Sequence, residues 1–138
     1  MTELDYLTEL DKIYEFEIEI NSLGDCRRVM ATLNEQEDIL KKIKRSVKYD
    51  IRLVESSYLK KRAYIRDKYT DKQVGLLDSL GGPFSSSRVK EMKKLDNDRN
   101  NNLEFFYEIK FTTENLLIQT EELRDNVQQI MRELLGNY

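Results

Sequence analysis

Apolar residues return every three or four positions over most of the chain, and that rhythm breaks at two places only, around Gly24 and between Thr70 and Ser87. Steps of three and four are the repeat of one face of an α-helix. In the first stretch, Thr2 to Leu23, the stripe is Leu4, Leu7, Leu10, Ile13, Phe16, Ile20 and Leu23, with Thr2 placed to cap it. Glu15-Phe16-Glu17-Ile18-Glu19-Ile20 alternates as a half-buried strand would. Its surroundings are helical and no second strand segment exists to pair with it, so a helix is expected throughout. Gly24 reads as the stop of that helix and Asp25 as the cap of the next.

From about Cys26 to Tyr69 one long helix is predicted, with a stripe of Leu33, Leu40, Ile43, Val47, Ile51, Val54, Tyr58, Ile65 and Tyr69. The spacing tracks about 3.6 residues per turn, which keeps the stripe on one side of a straight helix. At ~1.5 Å per residue such a helix is on the order of 60 Å long, and a rod of that length needs a neighbour. Thr70 to Ser87 supplies the reversal: Gly75, Gly81, Gly82 and Pro83 interrupt the pattern, while Val74, Leu76, Leu77, Leu80 and Phe84 offer apolar contacts. A serine among Ser85, Ser86 and Ser87 is then expected to cap a last helix running to about Leu135 and ending at Gly136. That helix has a heptad pattern, with Met92, Phe106, Val127 and Leu134 at one position and Leu95, Ile109, Leu116, Leu123 and Ile130 at the other. Arg99, Asn102, Thr113 and Thr120 are its polar interruptions. The run Asp96 to Asn102 is its weakest helix-forming segment, through which continuity is nonetheless expected.

The fold class that follows is all-α: a long antiparallel helical hairpin, coiled-coil-like, with an additional N-terminal helix, forming either a three-helix bundle in one chain or a dimeric four-helix bundle. The whole chain is expected to make one domain, with helices near 2–23, 26–69 and 86–135 and a turn at 70–86. Matching Tyr69 with Ser87 across the turn sets Tyr49 beside Tyr107 and Leu53 beside Leu103.

Each long helix also carries apolar residues off its main stripe. On the first these are Ile39, Tyr49, Leu53 and Tyr64, and on the second Tyr107, Phe111 and Ile118. A two-helix hairpin cannot bury two faces. Either the N-terminal helix covers this second patch, or a second hairpin or another protein does, or these residues are ordinary scatter of exposed apolar side chains. The patch is the candidate partner-binding surface.

Composition changes the picture mainly by exclusion. The chain of 138 residues has no histidine and one cysteine, Cys26, so it offers no Ser/His/Asp or Cys/His nucleophile system, no imidazole or thiolate zinc site, and no Glu-x-x-His di-iron pair. No internal disulfide can form, which favours a cytoplasmic setting. No apolar run reaches membrane-spanning length, and the acidic start from Met1 to Glu9 is unlike a basic signal peptide, so a soluble protein with its N-terminus retained is expected. Carboxylates such as Glu121 and Glu122, or Glu15, Glu17 and Glu19, read as solvated faces. Cys26, beside Arg27 and Arg28 at a helix start, reads as a buried thiol before a reactive one. No catalytic residue, metal ligand or cofactor is expected.

Charge is segregated along the chain. Residues 48–102 hold 13 Lys and Arg against 8 Asp and Glu, whereas the whole chain has a net charge of -3. In a hairpin this gathers Lys60, Lys61, Arg62, Arg66 and Lys68 of one arm near Arg88, Lys90, Lys93 and Lys94 of the other, around the tip. These nine residues are the candidate polyanion-binding set. Intervening Asp67, Asp71, Glu91 and Asp96, together with a pI near 5.2, argue against general nucleic-acid binding. Lys41, Lys42, Lys44 and Arg45 are expected to face Glu3, Asp5, Glu9 and Asp11 of the first helix. Gly81 to Arg88 resembles a phosphate-binding turn only in its glycines and serines. It lacks the Gly-Lys-Ser/Thr spacing and a preceding strand, and reads as turn and cap. The function expected from all of this is non-catalytic: a helical interaction or scaffold protein acting through a protein partner or a homodimer, with nucleic-acid or polyanion binding at the basic tip as the alternative.

Overall fold

The computed structural model describes residues 3–14, 20–71 and 83–136, and all three segments are helical over almost their whole length. Helix α1 spans Glu3–Tyr14, α2 spans Leu23–Asp71 and α3 spans Pro83–Gly136, with no strand among the described residues. The all-α architecture is therefore as the periodicity dictates. Residues 15–19 of the alternating segment lie outside the described part, as do Val74, Leu76, Leu77 and Leu80 of the expected turn, and Ile20 to Ser22 are not helical, so the first helix does not continue to Leu23 as expected.

The start of α2 differs from expectation. Leu23 and Gly24 belong to its first turn and the cap is Ser22, whose Oγ accepts the Asp25 amide at 3.2 Å. Asp25 in turn reaches back, accepting the Asn21 amide on Oδ2 at 2.9 Å, and its other oxygen pairs with Arg28. This is a capping box with Asp in the third helical position, displaced by one residue at its reciprocal bond. Gly24 is consequently no stop: a Cβ there would meet Ser22 Oγ at an ordinary 3.6 Å. The start of α3 also moves. Its first residue is Pro83, where the missing N–H is no loss because first-turn amides have no helical partner, so Ser85 to Ser87 lie inside the helix rather than capping it. The weak run Asp96 to Asn102 is continuous helix.

The chain divides into two compact units. Unit 1 comprises residues 1–48 and 108–138, and unit 2 residues 49–107. Unit 1 contains α1 and has a dense core. Tyr6, Leu10 and Ile13 of α1, Leu33, Leu40, Ile43 and Val47 of α2, and Ile109, Leu116 and Val127 of α3 are all buried. Cys26, Val29, Leu33 and Val127 form a cluster onto which Ile20, Met30, Ile130, Met131 and Leu134 pack. Cys26 is thus a core thiol. On α1 the buried stripe is Tyr6-Leu10-Ile13, steps of four and three, and Leu7 faces outward. A stripe stepping by three alone falls 60° behind per step and walks off the packed face, which is why Leu7 was misassigned.

The two polar interruptions Thr113 and Thr120 are buried in this unit, and each hydroxyl donates to the carbonyl four residues back, Ile109 O at 2.6 Å and Leu116 O at 2.7 Å. A buried hydroxyl needs a partner, and the helix supplies one without any other side chain. Glu37 bridges Lys41, at 2.7 Å, and Arg124 of α3, while Lys44 lies 3.9 Å from Glu114. Within the basic run on α2, Lys41 therefore meets a carboxylate of α2 and Lys44 one of α3. These α2–α3 pairs place the two helices antiparallel within the unit.

Candidate interaction surface

Among the described residues, unit 2 contains only α2 and α3, again antiparallel: Glu55 meets Arg99, Tyr58 meets Asp96, and Lys68 meets Glu91. The register deduced from the turn would have set Glu55 opposite Asn101 and Lys68 opposite Arg88, so it holds to within a helical turn. Two helices have one shared seam, and the consequence is visible in burial. Among the described residues of this unit only Tyr69 and Leu103 are buried apolar side chains, while the stripe residues Ile51, Val54, Tyr58, Ile65, Met92, Leu95 and Phe106 are half-buried. Leu103 lay off the heptad positions assigned to α3. Only the packed seam identifies it.

The off-stripe residues stay exposed. In unit 2, Tyr49 is 61%, Leu53 50%, Tyr64 69% and Tyr107 48% accessible. Of the patch members in unit 1, Phe111 and Ile118 are 67% and 54% accessible and Ile39 is half-buried, so Ile39 contributes less than its position suggested. α1 packs within its own chain and leaves these six side chains uncovered. Leu59 and Val89 are also exposed in unit 2, and Leu59 lies on a different side of α2 from Tyr49, Leu53 and Tyr64.

A polar cluster locks the seam of unit 2. Arg99 donates to both carboxylate oxygens of Glu55, at 2.6 and 3.1 Å, and its guanidinium lies 5.1 Å from the Tyr58 ring centroid. Tyr58 donates its hydroxyl to Asp96 at 2.6 Å, and this bond to a carboxylate raises the phenol's pKa. A planar guanidinium suits both partners at once, bidentate toward the carboxylate and stacked on the ring. Arg99 and Asp96 belong to the weakest helix-forming run of α3, and these cross-helix bonds offset its poor propensity. Nearer the Asp71 end of α2, Glu91 accepts from the Tyr69 hydroxyl and from Lys68 Nζ at 3.2 Å, and these two donors hold its carboxyl below the usual range. Burial, and then Glu91, push the Tyr69 phenol up.

The expected basic cluster is divided. Arg62, Arg66 and Arg88 line one pocket with Leu59, Ala63 and Met92. Lys61, Lys68 and Lys94 line another, where Glu91 and Asp98 stand among them. Lys60, Lys90 and Lys93 are exposed and line neither. Of the three tyrosines near this end, Tyr69 is buried, Tyr58 half-buried and Tyr64 exposed.

Among the described residues no three acidic or thiol side chains converge on a metal position, and no helix is long and apolar enough to cross a membrane. No protein-family model, curated protein or solved structure matches this chain.

Proposed function

We propose that this protein is a non-catalytic helical interaction or scaffold protein that assembles through the exposed apolar face of unit 2, and that the partner is a second copy of the chain. The observation that carries the reading is the mismatch, among the described residues of unit 2, between two buried apolar side chains and a set of exposed ones that includes Tyr49, Leu53, Tyr64 and Tyr107. Scattered apolar residues on a surface need no explanation, but several large ones on a two-layer unit with a thin core leave favourable burial unused. Tyrosine suits such a face, because its ring is buried on association while its hydroxyl stays wet. A second two-helix unit is the complement that turns two helices into a four-helix bundle, and an isologous pairing covers the same residues on both copies.

Multi-angle light scattering tests this. The wild-type protein is expected at twice the 16.5 kDa chain mass. The Tyr49→Glu/Tyr107→Glu variant is expected at the single-chain mass with its helicity intact. A wild-type protein that stays at the single-chain mass across the accessible concentration range disposes of the self-association, and so does a variant whose mass does not fall.

A further inference from the structure

Arg62, Arg66 and Arg88 surround one pocket of about 280 Å3 in unit 2, together with Leu59, Ala63 and Met92. On α2, residues 59, 62, 63 and 66 recur at helical spacing along one face, and Arg88 and Met92 are one turn apart on α3. Among the described residues the lining therefore combines three guanidinium groups with apolar side chains and contains no carboxylate. Arg66 lies 3.5 Å from Asp67 through Nε. Among the described residues, neither Arg62 nor Arg88 has an ion-pair partner.

The neighbouring pockets of the same unit are built differently. Lys61, Lys68 and Lys94 share theirs with Glu91 and Asp98, and the groove beside Arg99 contains Asp98 while Glu55 neutralises the guanidinium. Positive charge in unit 2 is thus compensated wherever it serves the α2–α3 seam. At Arg62 and Arg88 it is left open.

We propose that this pocket binds a phosphomonoester group borne on a molecule with an apolar portion. Guanidinium forks match the oxygen geometry of phosphate, and the two that have no ion-pair partner among the described residues, Arg62 and Arg88, carry the charge that meets a dianion. Leu59, Ala63 and Met92 lower the local dielectric around the anion, strengthening each contact, and offer surface to the apolar part of the ligand. The volume lies at the small end for ligand pockets, which fits a head group or a single phosphate ester rather than a long polymer. The phosphoryl group is common to free phosphate esters and to the head group of a phosphatidic acid surface, and the two sources are separated by experiment. This site is independent of the apolar face proposed for self-association.

The experiment uses the full chain and two probes: inorganic pyrophosphate by titration calorimetry, and co-sedimentation with phosphatidylcholine vesicles containing phosphatidic acid, against vesicles in which phosphatidylglycerol replaces it. Binding to pyrophosphate shows that a soluble phosphoryl anion suffices, without a lipid surface. Binding confined to phosphatidic acid vesicles identifies the lipid source. In either case Arg62→Gln/Arg88→Gln is expected to lower affinity about tenfold or more, the loss of charge-assisted hydrogen bonds. Lys60→Gln/Lys93→Gln, which removes the same charge outside the pocket, is expected to leave affinity nearly unchanged. Circular dichroism of both variants checks that helicity is retained. The proposal is overturned if neither probe binds, or if the two variants lose affinity equally. Duplex DNA binding more tightly than either probe, with the same loss in both variants, also overturns it in favour of a diffuse electrostatic surface.

Discussion

Truncating one leucine in each unit separates a closed core from an open seam. Leu33 is fully buried in a cluster with Cys26, Val29 and Val127, ringed by Ile20, Met30, Ile130, Met131 and Leu134. Leu33→Ala leaves a void walled on all sides, so the cost belongs at the upper end of the range for buried leucines, about 4–5 kcal/mol. Leu103 is equally buried at 3% accessibility, but Ile51, Val54 and Leu95 of its unit are only half-buried and free to relax. Leu103→Ala therefore belongs at the lower end, about 2–3 kcal/mol. Urea unfolding followed by circular dichroism gives both values, and amide exchange read by mass spectrometry locates them. Protection should fall first within 49–107 in the Leu103 variant and around α1 and residues 26–47 in the Leu33 variant. A Leu103→Ala cost equal to or above that of Leu33→Ala would refute the reasoning that unit 2 is held by a thin, collapsible seam.

Three further outcomes follow from the polar contacts. Ser22→Ala should destabilise the start of α2 by about 1 kcal/mol, with faster exchange of the Asp25 amide. Asp25 is held below the usual carboxylate range, first by the Asn21 amide and then by Arg28, so its contribution is complete above the unfolded pKa and lost as pH falls through the lower folded one. Acid titration should show that end of α2 fraying only below the ordinary Asp range, and Asp25→Asn should abolish the dependence; the same sign holds for Glu91, with Glu91→Gln as its control. Arg99→Lys keeps the charge but loses the fork to Glu55, so exchange should rise across 96–102 while unit 1 stays protected, and an unchanged profile would mean that the run is helical without help from α2.

Most of the fold was legible because helical periodicity is a local property. Leu33, Leu40, Ile43, Val47 and Tyr69 could be assigned to the core from spacing alone, and the threonines at 113 and 120 announced themselves as polar positions in an apolar stripe. The exposed face of unit 2 was legible for the same reason: Tyr49, Leu53 and Tyr107 fall off the stripe, and off-stripe residues of a two-helix seam have nothing to cover them. Helix starts were less legible. Ser22 and Asp25 form a box, and Pro83 opens α3, but each competes in sequence with a nearby glycine or serine of similar capping strength, and only the completed hydrogen bonds decide between them.

What the sequence by itself determined is the all-α class, the two long helices and their antiparallel pairing among the described residues, and the set of apolar residues left over, all consequences of a 3.6-residue repeat. Tertiary structure alone decided that Tyr6 rather than Leu7 anchors α1, that Leu103 closes the seam, that Lys41 and Lys44 meet acids of α2 and α3, and that the basic residues divide into an acid-compensated lysine pocket and an open arginine pocket. Those outcomes depend on which side chains from different helices arrive at the same height and angle. A repeat along one helix carries no information about that.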